Sequence, residues 1–173
     1  MDKIIPTLLL LGTVAVIFTL MWRGWRKQIH AQNHVPAPKR IPEALDPSLT
    51  EESAGVPYEG TYVCTTRADK PLERISVHEL GLRTPAWLLP IPQGIVCFRQ
   101  GVEDFFIPRS DITDYGSSSG MIGKFVERDG LVLIRWWLGT TQVDTGFRTR
   151  YAADRSALID HLSTLYTSAE RRD

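Results

Sequence analysis

The stretch that decides the fold is LVLIRWWLGTTQVDTGFRTRYAADRSALIDHL, residues 131–162. Leu131 to Leu138 is apolar on both faces for most of its length and reads as a buried strand. Gln142 to Arg150 alternates: Val143, Thr145, Phe147 and Thr149 share one face, and Asp144, Arg148 and Arg150 take the other. Asp154 then offers an N-cap for a helix running to about Ser168. Along it Ala157/Leu158, Leu162 and Leu165/Tyr166 recur at helical spacing, while Asp160, Ser163 and Thr164 fall away. A lone amphipathic helix behind a run of strands must bury its apolar face, and the open end of a curled sheet is the place for it.

The residues upstream supply the sheet. YEGTYVCTT, from Tyr58, is rich in β-branched and aromatic residues. ERISVHEL, from Glu73, sets Ile75 and Val77 against Arg74, Ser76 and His78, the pattern of a half-buried strand. Arg83–Leu89, Gly94–Arg99 and Glu103–Ile107 read as three more short strands, and Asp129-Gly130 is a favoured hairpin dipeptide. The connections are too short for crossover helices. The expected fold is therefore mainly β: a small antiparallel barrel or sandwich of about seven strands with a C-terminal helix.

The N-terminal 27 residues have a different character. From Ile4 to Trp22, 19 residues carry no charge, and a helix of that length spans about 28 Å, the thickness of a bilayer core. Pro6 lies in the first turn, and Trp22 and Trp25 sit where indoles favour the interface. Arg23, Arg26 and Lys27 follow the apolar run, with no small-x-small cleavage site after it, so the segment reads as a retained anchor. The basic flank predicts the N-terminus outside and the rest of the chain cytoplasmic, at the plasma membrane. Cys64 and Cys97 are then reduced thiols; the reverse topology leaves a bridge between them open. Residues 28–57, with five prolines, read as a tether, with helical turns around Trp25–Asn33 and after Pro47. Residues 58–173 form the folded domain.

Strands closed by one C-terminal amphipathic helix are the layout of a pleckstrin-homology-like (PH-like) domain. The segment IPRSDITDYGSSSGMIGKFVERDGLVLIRWWLGTTQVDTGFRTRYAADRSALIDHL resembles the small membrane-anchored PH-like proteins of actinobacteria. The shared features are an "IP…I" strand, a Gly…GK loop, a Trp-bearing strand, a "TGF" strand and the closing helix. The resemblance covers residues 58–168 and the anchor. It implies binding rather than a reaction, and it carries over no catalytic residue.

One segment poses a sharper question. In DYGSSSGMIGKF, residues 114–125, Gly116 to Gly120 fits G-x-S-x-G and Gly123-Lys124 ends like a phosphate loop. A nucleophile elbow needs a strand before Ser118 and a helix after it, in a parallel α/β sheet, and no βαβ repeat is present. A phosphate loop needs glycine where Ser118 stands and Ser or Thr where Phe125 stands. The segment reads as a flexible loop between strands. Its small residues, Ser117, Ser118 and Ser119, can offer backbone N–H groups to an anion, with Lys124 beside them.

His30 and His34 have zinc spacing but no third ligand. Cys64 and Cys97 are not spaced as C-x-x-C and read as buried strand residues. Glu51-Glu52 and Glu103-Asp104 read as solvated surface. Trp136 and Trp137 face opposite ways, one to the core and the other, here taken as Trp137, exposed for contact. Residues 58–173 carry 14 Lys/Arg against 15 Asp/Glu, which excludes a nucleic-acid module. Clustered Arg135, Arg148 and Arg150, interspersed with acids, leave room for a local anion site. The candidate binding residues are Ser117, Ser118, Ser119, Lys124, Arg135, Trp137 and Arg148. No cofactor, metal or catalytic set is expected. The reading is a single-pass anchored PH-like module that docks a protein or lipid. The alternatives are an accessory subunit of a membrane transport complex, and a hydrolase or anion-binding enzyme using the 114–125 segment.

Overall fold

A computed structural model describes residues 4–32, 35–42, 56–121, 124–125 and 130–170. The chain divides into two compact units, Met1–His34 and Val35–Asp173. The first unit is helix α1, Ile4–Ala31. Its window Thr7–Gly24 has a mean hydropathy of 1.7 and is long and apolar enough to cross a membrane. The hydroxyls of Thr13 and Thr19 donate to the carbonyls of Leu9 and Ala15 at 2.9 and 2.7 Å. That is how a threonine satisfies its polar group on a helix in hydrocarbon.

Among the described residues the second unit has ten strands: β1 (Tyr58–Arg67), β2 (Lys70–Arg74), β3 (Thr84–Ile91), β4 (Gly94–Arg99), β5 (Phe105–Pro108), β6 (Ile112–Ser118), β7 (Gly120–Met121), β8 (Lys124–Phe125), β9 (Leu131–Leu138) and β10 (Thr141–Thr149). Helix α2 (Ala152–Glu170) follows. The main sheet runs β5-β4-β3-β1-β10-β9-β6, with β2 added beside β1; β7 and β8 form a separate hairpin. All pairings are antiparallel, and the sheet is a curled half-barrel. The turn between β9 and β10 uses two residues, with Gly139 at φ 61°. Glycine suits that left-handed position, and a Cβ there would also lie 2.7 Å from Pro36.

The concave face holds the main core. Tyr62, Leu88, Ile95, Cys97, Phe105, Ile107, Ile134, Trp136, Val143 and Phe147 are buried in it together with Leu158, Leu162 and Tyr166 of α2. The helix starts two residues before the expected cap and carries Asp154 in its first turn, where a carboxylate favours the positive end of the helix dipole. Its far end is tied to the sheet. The Tyr166 hydroxyl donates to Gly94 O at 2.6 Å, and Arg109 donates to the carbonyls of Leu165 and Tyr166, both at 2.7 Å. A charged donor on carbonyls in the helix's C-terminal half favours the negative end of the helix dipole and holds that end to the sheet.

Four buried side chains run a hydrogen-bond chain through the core. Trp136 Nε1 donates to Thr145 Oγ1 at 2.9 Å; Thr145 meets Thr65 at 2.8 Å; Thr65 meets Tyr62 at 2.7 Å; Tyr62 donates to Leu80 O at 2.7 Å. Both ends fix the same direction. An indole N–H only donates and a carbonyl only accepts, so each hydroxyl passes its proton toward Leu80. Tyr62 and Thr65 share the inner face because the register shifts between Tyr62 and Cys64, and a bulge places residues three apart on one side.

Two sequence expectations change. ERISVHEL is not one strand: β2 ends at Arg74, and the chain then turns. Ile75 and Leu80 are both fully buried, yet residues five apart on a strand face opposite ways. The backbone resolves the conflict with His78 and Glu79 in the left-handed region, at φ 55° and 58°. Such residues are strained. Here His78 Nε2 donates to Val35 O at 2.9 Å and Arg99 donates to Glu79 O at 2.9 Å. The second change is in DYGSSSG, residues 114–120, read as a loop: its first five residues belong to the edge strand β6, in register with β9 from Asp114↔Arg135 to Ser118↔Leu131.

The convex face is covered at both flanks. Residues 35–42, inside the stretch read as a tether, are packed as a strap: Val35 is buried in the main core, Lys39 bridges to Phe106 of β5, and Ile41 packs on the convex side against Leu89, Ile91 and Val96. On the other side β7 lays Met121 over Cys64, Leu131 and Val63. Gly146 makes this possible, because a Cβ there would stand 2.5 Å from Met121 Sδ. The expected turns after Pro47 and at Asp129, and the His30–His34 pair, fall wholly or partly outside the described residues.

Thr145→Val is expected to lower stability by about 2 kcal/mol, because it strands the Trp136 indole N–H inside the core. Chemical denaturation of the full chain checks this, and an unchanged midpoint would mean the chain of hydroxyls contributes nothing.

Candidate functional site

The candidate residues do not converge. Ser117 and Ser118 lie on the edge strand β6 and Ser119 at the corner into β7. Ser118 is pinned by its neighbour: its hydroxyl donates to Gly120 O at 2.9 Å and accepts from Gly120 N at 3.4 Å. It sits on no strand-to-helix elbow. His161, the base a hydrolase would need, lies on α2 with Nδ1 3.4 Å from the Tyr58 hydroxyl. Lys124 pairs with Met121 across the β7–β8 hairpin, and its side chain is outside the described residues.

Arg135 and Trp137 are on β9. Arg135 is engaged by Asp144 through a two-pronged pair, Nε–Oδ1 at 2.7 Å and Nη2–Oδ2 at 3.0 Å. Asp144 is buried, and its hydrogen bond pushes the Arg135 guanidinium pKa further up. This pair is a structural rivet, which removes Arg135 from the expected arginine cluster. Trp136 is in the core and Trp137 is 42% exposed, the division expected for successive strand residues. It stands opposite Gln142.

Arg148 is where a site forms. A groove of about 340 Å³ is lined by Glu59, Gly60, Thr61, Arg83, Arg148, Thr149 and Arg150. It lies on the convex face, between the flank covered by the strap and the flank covered by β7. The register explains the gathering. Thr61 of β1 stands opposite Arg148 of β10 and Pro85 of β3, so those side chains share a face. Arg83 comes in from the residue before β3, and Arg150 pairs with Glu59. Among the described residues the groove's lining holds three guanidiniums and one carboxylate. Trp87, 38% exposed, stands opposite Glu59 on the same face, and the Arg150 guanidinium lies 5.6 Å from the ring centre of exposed Tyr151.

A second cleft, about 290 Å³, lies beneath the strap and is lined by Ala37, Pro38, Arg40, His78, Glu79, Arg99, Glu103, Asp104 and Phe105. Arg99 is 5% exposed. Its guanidinium donates to the carbonyls of Glu79 and Glu103 and lies about 5 Å from the rings of Tyr62 and Phe105, at 5.1 and 4.9 Å. Three carboxylates outnumber two arginines here, so the field disfavours an anion. Arg99 acts as a clamp on two loops rather than as a receptor.

Among the described residues no group of three or more His, Cys, Asp or Glu is arranged to hold a metal. Arg148 and Arg150 were legible as alternating residues of one strand. Arg83 and Glu59 were not, because their approach depends on the β1–β3 and β1–β10 registers.

The two cysteines are free and buried. Cys64 Sγ lies 3.5 Å from Met121 Sδ on the convex side, whereas Cys97 lies in the concave core. Burial pushes the Cys64 thiol up to about 11 and the Cys97 thiol up to about 12.

A family model described as "Bacterial PH domain-like" matches residues 35–163. Among solved structures, the chain is similar to the C-terminal domain of an unknown protein from Leishmania infantum, at 15% identity over 70% of this chain and 90% of that one, with a TM-score of 0.44. It is also similar to Vav1 inhibited by an allosteric inhibitor, at 15% identity over 72% of this chain and 30% of that one, with a TM-score of 0.40. No curated protein matches.

Neither thiol of the folded chain is expected to react with iodoacetamide at neutral pH, while both react once denatured. Their raised values stabilise the fold below the ordinary thiol value of 9.0, and that contribution is lost as pH rises from 9.0 through about 11 and 12. A melting midpoint followed across this range checks the sign; rapid native labelling of Cys64 would contradict the packing under Met121.

Proposed function

The chain belongs to the bacterial PH domain-like family, and from that premise we propose that it is a single-pass membrane protein whose PH-like unit binds a partner at the inner membrane surface. The observation that carries this reading is the pairing, in one chain, of a span-length apolar helix with a PH-like unit that, among the described residues, has an arginine-lined groove on its convex face. PH-like domains are generally binding modules rather than enzymes. Anchoring the unit confines it to the surface layer, so a weak contact with another membrane-bound molecule gains from the raised local concentration. The basic flank Arg23, Arg26 and Lys27 favours the cytoplasmic side for the folded unit. The serines of β6 and Trp137 form a secondary contact surface in this reading.

The test is alkaline extraction of membranes carrying the full chain with a C-terminal epitope tag, followed by protease protection in intact and permeabilised cells. The chain is expected to stay in the membrane pellet, and the tag to be cleaved only after permeabilisation. Release of the chain into the alkaline supernatant, or a mature N-terminus beyond Lys27, would overturn the anchored reading; a tag cleaved on intact cells would reverse the topology.

A further inference from the structure

We infer that the convex groove between β3, β1 and β10 takes an acidic segment of a protein, with carboxylates seated on Arg83 and Arg148 and an apolar neighbour against Trp87. This rests on the binding-module reading and names the chemistry of its partner.

Three observations converge on it. The first is charge. Among the described residues the groove is lined by Arg83, Arg148 and Arg150 and by one carboxylate, Glu59, within a domain whose residues 58–173 carry 14 basic against 15 acidic side chains. A local positive field on a near-neutral body selects a discrete anionic ligand. A broad anionic bilayer rewards basic residues spread over a surface, which this domain lacks. The second is the kind of cation. All three are arginines, whose planar fork matches a carboxylate in two-pronged geometry. The groove already contains one arginine–carboxylate pair, a single contact from Arg150 Nη1 to Glu59 Oε1, and the two-pronged form stands between Arg135 of β9 and Asp144 of β10. Arg83 makes no ion pair among the described residues and is exposed.

The third is the apolar flank. In register, Glu59 stands opposite Trp87, 38% exposed, and Trp87 opposite half-buried Phe98, so an aromatic flank borders the arginines along β3. Tyr151 is 59% exposed on the other side of Arg150. Arginine beside exposed tryptophan and tyrosine is the composition of energetically dominant interface positions. A free phosphate would use the arginines alone; a peptide uses both the arginines and the flank.

The experiment uses the full chain in nanodiscs of zwitterionic phosphatidylcholine and a fluorescein-labelled peptide of alternating glutamate and leucine. An extended chain of that pattern puts its carboxylates on one face. The comparisons are the same peptide with glutamine for glutamate, inorganic phosphate as competitor, and nanodiscs containing phosphatidylglycerol. The variants are Arg83→Gln, Arg148→Gln, their double, and Lys70→Gln outside the groove. Anisotropy is expected to report binding of the glutamate peptide, weakened about tenfold or more in the double variant and less than about twofold by Lys70→Gln. Raising salt should weaken it, and the glutamine peptide should bind at least about tenfold less tightly. All substituted side chains are exposed, so melting midpoints should match the parent chain. Equal affinity for the two peptides, absence of binding, or insensitivity to the double variant would overturn the inference. So would displacement of the peptide by phosphate at equal concentration, which would reassign the groove to small oxyanions. Arginine-dependent contact with phosphatidylglycerol in place of peptide would reassign it to lipid. None of these results bears on membrane retention, which alkaline extraction reads separately.

Discussion

The structure depends on closing one open face. A sheet curled into a half-barrel leaves its concave side lined by Tyr62, Phe105, Trp136 and Phe147, and α2 packs over it, with Val35, Ile75 and Leu80 joining the same core. Leu158 and Leu162 are fully buried against that face. Burial of apolar side chains supplies roughly 2 kcal/mol each but has no direction. Direction comes from polar ties: Tyr166 to the β3–β4 hairpin, Arg109 to the carbonyls of Leu165 and Tyr166, and the relay from Trp136 to Leu80. With the helix so fixed, the concave side is used up as core. Any ligand must then be met on the convex side or at an edge.

The convex side is itself partly spent. The strap 35–42 covers the sheet at β3 to β5, and β7 covers it where Met121 meets Gly146. The groove lies between them, and the register places Arg148 and Arg150 there beside Arg83. The contrast with Arg99 is instructive. A guanidinium enclosed by carbonyls and aromatic rings, with acids in the majority around it, stabilises loops. Guanidiniums gathered at the surface against one acid create an unbalanced field, which is the condition for recognition.

Much of the fold was legible because its signals are local. Leu131–Leu138, Gln142–Arg150 and the helical spacing of Leu158, Leu162 and Tyr166 each sit inside one element, and the chain announces them by period alone. The misreadings share a cause. Ile75 and Val77 alternate as a strand would, but burial of both Ile75 and Leu80 is a tertiary demand, met by left-handed His78 and Glu79. Gly116 to Ser119 has loop composition, yet hydrogen bonding to β9 makes a strand of Gly116–Ser118. Arg135 looked available until Asp144, nine residues on, came opposite it across a hairpin. Arg83 reached the site by a register that no window of sequence displays.

The central claim is that this chain grips a partner through the convex arginine groove. Its most direct test is site-specific photocrosslinking in cells from a benzoyl-phenylalanine placed at Thr61, on the groove floor, and separately at Ser117, on the β6 edge. The account predicts a protein adduct from Thr61 that maps to an acidic segment of that protein and disappears when Arg83 and Arg148 are replaced by glutamine. An adduct formed only from Ser117, or one from Thr61 that persists without the arginines, would contradict it.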